Sequence, residues 1–263
     1  MMRLDQALVE RGLCESREKA KRAIMAGQVR INDRAAGKPS DSIKADDQLA
    51  LVACEKYVSR GGLKLEHALQ HFQINTTGLI AIDLGASTGG FTDCLLQRGA
   101  KKVYAVDVGH GQLAWKLRRD PRVVVMEKTN ARALTRENFD LSFAGADFVV
   151  IDCSFISLKK ILPVAIALAK PSARIVALVK PQFEAGKAEA DRGEGVITDA
   201  AIHARVLREL EEFVAAACDR RLSEEVGDSR RPPLQLAWRG VTESPLLGPA
   251  GNKEFFVLIE KKS

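Results

Sequence analysis

Asp83-Leu84-Gly85-Ala86-Ser87-Thr88-Gly89-Gly90-Phe91-Thr92 is the most informative segment of this chain. The apolar run Leu79-Ile80-Ala81-Ile82 leads into it, and a helix-compatible segment from Phe91 to Arg98 leaves it. A strand that ends in a glycine loop and opens a helix brings bare backbone N–H groups close to a ligand. The spacing G-x-x-x-G-G is neither the G-x-G-x-x-G dinucleotide fingerprint nor a phosphate loop ending in G-K-[ST]. A second apolar run, Val103-Tyr104-Ala105-Val106, ends on Asp107, the place where an acid meets a ribose diol. An acid closing the first strand, a glycine loop, and an acid closing the second strand form the pattern of an S-adenosylmethionine site. Its candidate contacts are Asp83, Gly85, Ser87, Thr88, Gly89, Gly90, Phe91 and Asp107.

A chain of 263 residues has room for one large domain and a small one. At 46% hydrophobic and 28% charged it has the balance of a globular protein. The net charge of +6 permits a polyanionic partner without requiring one, and it is unevenly spread. Residues 1–60 hold 12 Lys and Arg against 9 Asp and Glu, half the excess in under a quarter of the chain. The cysteines, Cys14, Cys54, Cys94, Cys153 and Cys218, are odd in number and lack a C-x-x-C pair. They argue for a reducing compartment and against a zinc site or a disulfide framework. The start, Met1-Met2-Arg3-Leu4-Asp5, lacks the apolar core of a signal peptide. The longest candidate membrane stretch, Ile161 to Ala169, is half a span and is closed by Lys170. A cytoplasmic protein is expected.

Outward from the glycine loop, the N-terminal side reads as a compact α+β module. Residues 3–11 form an amphipathic helix with Leu4, Ala7 and Leu8 on one face. Ser16 caps a second helix, Arg17 to Ala26, which Gly27 stops. Strands follow at Val29-Arg30-Ile31 and Gln48 to Val52, with a turn at Asn32-Asp33. A cation cluster on one helix is often only a solvated face. Here, though, R-L-D-x-x-L-V-x-R-G-L followed by S-R-x-x-A-K-R-x-I-x-x-G-x-V-x-I-N resembles the S4-like RNA-binding domain. The resemblance implies that Arg3, Arg17, Lys19, Lys21 and Arg22, with Arg60 further on, meet RNA phosphates, which position RNA without reading its sequence.

Residues 1–55 are expected to form this domain, 56–62 a linker with the double glycine Gly61-Gly62, and 63–263 a second domain. From Leu63 the pattern alternates. Strands are expected near 79–84, 102–107, 122–126, 147–152 and 174–180, and helices near 63–72, 90–98, 111–118, 157–169 and 198–217. That alternation predicts a parallel sheet covered on both faces. Pro232-Pro233 then breaks the chain, and residues 235–241 and 254–259 suit a terminal antiparallel hairpin, the usual ending of Rossmann-like methyltransferases.

The fourth strand, Asp147-Phe148-Val149-Val150-Ile151-Asp152, ends in an acid followed by Cys153-Ser154-Phe155. Methylases of exocyclic base amines place [DN]-P-P-[YF] here, and those prolines are missing. Cys153 as a thiolate nucleophile competes with the plainer reading of a packed cysteine, which no Pro-Cys partner motif challenges. The fifth strand runs into Lys180-Pro181-Gln182-Phe183-Glu184. Alone, Lys180 would read as a snorkelling lysine. With Lys64 in S-R-G-G-L-K-L and Glu254 in G-P-A-G-N-K-E-F-F it makes a set suited to alkylating a ribose hydroxyl. A 2′-hydroxyl is a very weak acid, and a lysine assists it where burial and a second cation favour the neutral amine. The carboxylates would hold the lysines and tolerate a sulfonium. No metal is expected, since the four histidines show no ligand spacing.

At these residues the chain resembles a known family over nearly its whole length. The S4-like start, S-R-G-G-L-K-L, D-L-G-A-S-T-G-G-F-T-D, V-D-V-G-H-G-Q-L, D-C-S-F-I-S-L, V-K-P-Q-F-E and G-P-A-G-N-K-E-F-F are similar to the TlyA family, also called hemolysin A. The resemblance implies a Rossmann-like α/β methyltransferase domain of the FtsJ type behind a small α+β S4-like domain. It implies 2′-O-methylation of cytidine ribose in ribosomal RNA, with S-adenosylmethionine as cofactor and ribosomal subunits as partners. By motif, Lys64, Asp152, Lys180 and Glu254 become the catalytic K-D-K-E set, and Asn130 joins the cofactor contacts. Glu127-Lys128-Thr129-Asn130 departs from the pattern in lacking an Asp at the adenine edge. Two rivals stay open: a membrane-active hemolysin, and an RNA-binding ribosome assembly factor with a degenerate cofactor fold. A pseudouridine synthase, which often carries an S4-like domain, has no use for the glycine loop and its acids.

Overall fold

A computed structural model describes residues 2–25, 27–51, 56–219 and 235–262. The chain separates into two compact units, Met1–Lys56 and Tyr57–Ser263. Cys54 and the Pro232-Pro233 break lie outside the described residues, as do the last residues expected for the second helix and for the strand ending at Val52.

In the first unit, β1 (Met2–Arg3) runs directly into α1 (Leu4–Glu10), and α2 spans Arg17–Met25. Ser16 Oγ accepts the Lys19 N–H, as a cap should, and Gly27, in a left-handed conformation, ends the helix. Strands β2 (Val29–Ile31), β3 (Arg34–Ala35) and β5 (Leu49–Leu51) form a sheet in the order β3-β2-β5. The β2–β3 hairpin turns on Asn32 and Asp33, both at positive φ, which suits the right-handed twist of the paired strands. β4 (Ser42–Ile43) pairs antiparallel with β1. Neither β1, β3 nor β4 was visible in the sequence, because two-residue strands carry no period. Leu4, Ala7, Leu8, Ala20, Ala23, Ile24, Val29 and Ile43 close the core.

The second unit opens with α3 (Gly61–His71). The linker expected over 56–62 is therefore corrected. Tyr57 is buried, Val58 donates its N–H to Asp93 Oδ2 at 2.8 Å, and both glycines are already helical. Next come β6 (Ile80–Leu84), α4 (Gly90–Gln97), β7 (Lys102–Val106), α5 (Trp115–Arg118), β8 (Val123–Met126) and β9 (Ala146–Ile151). α6 (Leu162–Leu168), β10 (Ala169–Val179), α7 (Pro181–Glu184), α8 (Lys187–Arg192), α9 (Ala200–Asp219), β11 (Leu236–Glu243) and β12 (Phe255–Lys261) complete it. The sheet order is β8-β7-β6-β9-β10-β12-β11, parallel from β8 to β10, with β12 antiparallel to both of its neighbours. The strand order reverses between β6 and β9, so a crevice opens at their carboxyl ends.

Two apolar layers sandwich the sheet. Ile82, Tyr104, Val149 and Ile175 face one cluster, while Ala81, Val103, Phe148 and Val176 face the other. Three expectations differ in detail. The helix expected over 111–118 starts only at Trp115, because the Glu127 carboxylate accepts the N–H groups of Gln112 and Leu113 and holds that segment as a loop. The helix expected over 157–169 divides into a 3₁₀ turn, Leu158–Lys160, and α6, which has Pro163 in its first turn. The strand expected from 174 begins at Ala169, with a register irregularity before Arg174. The apolar run from Ile161 to Ala169 holds α6, and the half-buried Lys261 ammonium donates to Ile166 O and Ala169 O at its end. No helix among the described residues is long and apolar enough to cross a membrane.

Phe148 on β9 is fully buried in the middle of the second layer. Phe148→Ala is expected to destabilise the second unit by about 3–5 kcal/mol, read from chemical denaturation. A loss below about 1 kcal/mol would mean that this layer is not close-packed.

Candidate active site

The crevice at the β6–β9 reversal is where most of the chemistry-bearing residues meet. Asp152 donates its backbone N–H to Leu84 O at 2.9 Å, which closes the two strand ends together. Gly85 follows at φ +90°, and a Cβ there would lie 2.7 Å from the Asp152 carbonyl oxygen. The glycine thus serves contact between the strand ends as well as ligand access. Gly90 opens α4, and its position would bring a Cβ within 2.9 Å of Gly62 N and still closer to Ser59 Oγ. That close approach carries Ser59, Arg60 and Lys64 to the rim of the glycine loop.

Two adjoining cavities result. The larger, about 530 Å³, is lined by Gly85, Ser87, Asp107, Asn130, Asp152 and Phe155, among others. The smaller, about 220 Å³, is lined by Arg60, Lys64, residues 85–88, Gly90, Phe91 and Asp152. Gly85, Ser87 and Asp152 belong to both. Asp107 is held by the loop it faces, accepting the Ser87 N–H at 2.8 Å and the Gly109 N–H at 2.6 Å. Asn130 caps the 3₁₀ turn Ala131–Ala133 by accepting the Arg132 N–H at 3.0 Å, and it also lines the larger cavity. Asp83 lies beneath, fully buried. Its Oδ2 accepts the Thr92 hydroxyl at 2.7 Å, while Oδ1 has no hydrogen-bond partner among the described residues. Burial pushes this carboxyl up to about 7, with the Thr92 hydrogen bond pulling it back.

The four residues read as a set form two lysine–carboxylate pairs. Lys64 Nζ lies 2.5 Å from Glu254 Oε2, across 190 residues of sequence, with Glu254 1% exposed. Lys180 Nζ lies 2.6 Å from Asp152 Oδ1, a charge contact rather than an aligned hydrogen bond, and donates to Ser154 Oγ at 2.8 Å. Lys64 and Asp152 face the same small cavity, which links the two pairs.

The loop after β9 is locked to the one after β10. Glu184 accepts the Ser157 hydroxyl at 2.6 Å and the Leu158 N–H at 2.7 Å, and the Phe155 and Phe183 rings lie 5.1 Å apart. Burial raises the Glu184 carboxyl. Phe155 itself is 90% exposed at the cavity mouth. Cys153 settles as a packed residue. Its thiol faces the Leu84 carbonyl at 3.5 Å, and burial pushes it up to about 12, far from a usable thiolate.

Sequence reasoning missed Ser154, Glu184, Arg132 and Phe155 as members of this neighbourhood. Ser154 and Phe155 stood in a motif read only for its lack of prolines, and Glu184 stood beside Lys180 in a motif already quoted. Arg132 carried no signal. Of the remaining cations, Arg60 lines the small cavity, whereas Arg3, Arg17, Lys19, Lys21 and Arg22 belong to the first unit. Arg3 and Arg17 pair with the buried Asp5, and Lys19 and Lys21 pair with the exposed Glu15 and Glu18.

The Asp83 environment has a sign that can be measured. An acid whose folded pKa lies above its unfolded value binds its proton more tightly when folded, so its contribution to stability falls as pH rises between the two values. Wild-type protein without ligand is expected to lose stability relative to Asp83→Asn between pH 3.8 and about 7. Denaturation midpoints of the two proteins across that range test this, and parallel curves would refute the buried-acid assignment.

Comparison with known proteins agrees with this architecture. The S4 domain family matches residues 2–49 and the FtsJ-like methyltransferase family matches residues 57–261. The chain is 45% identical to the 16S/23S rRNA (cytidine-2'-O)-methyltransferase TlyA of Mycobacterium tuberculosis, over 99% of this chain and 90% of that one. It is also 45% identical to Hemolysin A of Brachyspira hyodysenteriae, over 78% of this chain and 85% of that one. A solved structure from Streptococcus thermophilus, named as a hemolysin, aligns with a TM-score of 0.70 and 42% identity, covering 100% of this chain and 89% of that one. With its two-unit architecture and its lysine–carboxylate crevice, the chain belongs to the FtsJ-like methyltransferase family, in the S4-bearing group of TlyA and hemolysin A proteins.

Proposed function

We propose that this protein methylates a ribose 2′-hydroxyl, that of cytidine, in ribosomal RNA, using S-adenosylmethionine, in the cytoplasm. The observation that carries the reading is the presence of two lysine–carboxylate pairs, Lys64–Glu254 and Lys180–Asp152, on one crevice beside the glycine loop. The assignment to cytidine in ribosomal RNA draws on the named relative, which spans nearly the whole chain.

The residues present suit the cofactor. The unpartnered, fully buried Oδ1 of Asp83 is a carboxylate oxygen awaiting a donor, and a cationic amino group satisfies it. Asp107 suits a ribose diol, and Asn130 with its neighbours walls the larger cavity. When bound, S-adenosylmethionine supplies an electrophilic methyl group on a sulfonium.

The chain's own side chains then have a defined task. A ribose hydroxyl must be aligned and relieved of its proton as its oxygen becomes nucleophilic. Lys180 is the residue for that oxygen. The Asp152 carboxylate and the Ser154 hydroxyl fix the position of Nζ without using all of its hydrogen-bonding capacity. Lys64, fixed by Glu254, adds a second cation that stabilises developing negative charge on the oxygen. The acids also keep a cationic donor from meeting two unbalanced lysines. Arg60 at the same rim suits a phosphate of the incoming strand, and the cations of the first unit suit the RNA backbone more widely.

Lys180→Ala is expected to slow methyl transfer about 10²–10⁴-fold in single-turnover assays at saturating RNA and cofactor, with both affinities little changed. Lys180→Arg should fail nearly as badly, because a guanidinium stays protonated and its planar fork points elsewhere. Near-normal rates for the Arg variant would remove the proton-accepting role. Loss of 2′-O-methylcytidine from ribosomal RNA in cells lacking the protein, restored by the wild type and not by Lys180→Ala, tests the substrate.

A further inference from the structure

In the first unit one acid stands where a polyanion is expected to dock. Asp5 on α1 is 0% exposed, yet it belongs to the segment whose cations are read as RNA contacts. Both of its oxygens are engaged. Oδ1 accepts from Arg3 Nε at 3.0 Å, and Oδ2 accepts from Arg3 Nη2 at 3.2 Å and from Arg17 Nη2 at 2.9 Å. The Arg3 contact is a bidentate fork, the strong form of an arginine–carboxylate pair. Hydrogen bonds from Arg3, then those from Arg17, hold the Asp5 carboxyl down at about 2, outweighing its burial. The carboxylate is therefore held by the guanidiniums it binds, and it stays ionised at any physiological pH.

The two arginines remain half in solvent, with side chains 45% and 50% exposed. A guanidinium has five N–H donors, so Arg3 keeps three and Arg17 four beyond those given to Asp5. The base beneath them is rigid. Arg3 lies in β1, paired with Ser42 of β4, and the Leu4 and Asp5 N–H groups are bonded to Asp41 O and Pro39 O at 2.8 and 3.1 Å. Lys19 and Lys21 are held differently, by the exposed Glu15 and Glu18 on the surface of the same helix region, and such pairs fix little. Arg22 makes no ion pair among the described residues.

We propose that Asp5 is a positioning residue that presents Arg3 and Arg17 side by side as a preformed two-guanidinium clamp for RNA phosphate, without touching RNA itself. Two arginine side chains are immobilised before the ligand arrives, so that ordering cost is not charged to binding. Guanidinium planes held in place match phosphate oxygens in a way that mobile ammonium groups do not. The inference rests on the reading of the first unit as an RNA-docking module.

The test exploits a conflict of signs. Removing an acid beside a polyanion site should tighten binding if only net charge matters. Asp5→Asn is instead expected to weaken binding to purified ribosomal subunits about 5–20-fold and to flatten the salt dependence, while Glu10→Gln on the same helix binds as well as wild type or better. Arg17→Lys conserves charge and keeps the acid paired, and should weaken binding several-fold, whereas Arg34→Lys, on β3 and outside the set read as RNA contacts, should not. Wild-type or tighter binding by Asp5→Asn overturns the proposal. If hydrogen exchange shows that Asp5→Asn unfolds the first unit, equal affinities for Arg17→Lys and Arg34→Lys overturn it instead. A variant with Arg3, Arg17, Lys19, Lys21 and Arg22 all changed to Ala separates the two levels. Unchanged affinity and salt slope there would refute the docking reading itself, while weakened binding there with an unaffected Asp5→Asn would refute the clamp alone.

Discussion

The second unit depends on the contact between the carboxyl ends of β6 and β9. Leu84 and Asp152 share a backbone hydrogen bond, and Gly85 lies so near the Asp152 carbonyl that no side chain fits between them. Because the strand order reverses at this pair, the helices leave on opposite sides and a crevice must open beyond it. The same contact puts Asp152 at the boundary of both cavities, so one residue faces the ligand wall on one side and the lysines on the other. Glycine at position 85 is thus a packing requirement first and a ligand requirement second.

Around that contact the site is assembled from segments far apart in the chain. Lys64 comes from the first helix of the unit and Glu254 from the entry to its last strand. The turn that delivers Glu254 is itself pinned, because Asn252 donates to Gly195 O and accepts the Ile197 N–H. Lys180 and Asp152 end neighbouring parallel strands, and their loops are tied by Glu184 and by the Phe155–Phe183 contact. Each lysine therefore meets its acid with little freedom left to either, which is the condition for a charge placed to act on a transition state. The first unit applies the same device to a different end, with a buried acid holding exposed arginines.

What the sequence determined by itself was the periodic part of the protein. Alternating apolar strands and amphipathic helices from Leu63 onward specify a covered parallel sheet, and the observed strand positions fall close to the expected ones because burial on both faces demands continuous apolar runs. Strand-end position and the family resemblance together singled out the four residues that the fold brings into two pairs. The tertiary structure alone decided how those four are paired, since Lys64 and Glu254 share no local pattern and meet only when β12 inserts antiparallel beside β10. It also decided that residues 57–62 belong to the second unit, and that Gln112 and Leu113 stay out of a helix, because a distant carboxylate or ring claims their surroundings. It decided the fate of the cations as well. A string of Arg and Lys along a helix reads as uniform charge, but which of them are anchored depends on Asp5 being buried and on the loop carbonyls that hold its helix in place. Local patterns report burial, periodicity and neighbouring pairs such as Lys19–Glu15, whereas pairing between distant charges such as Lys64 and Glu254 is set by long-range geometry that no one-dimensional pattern carries.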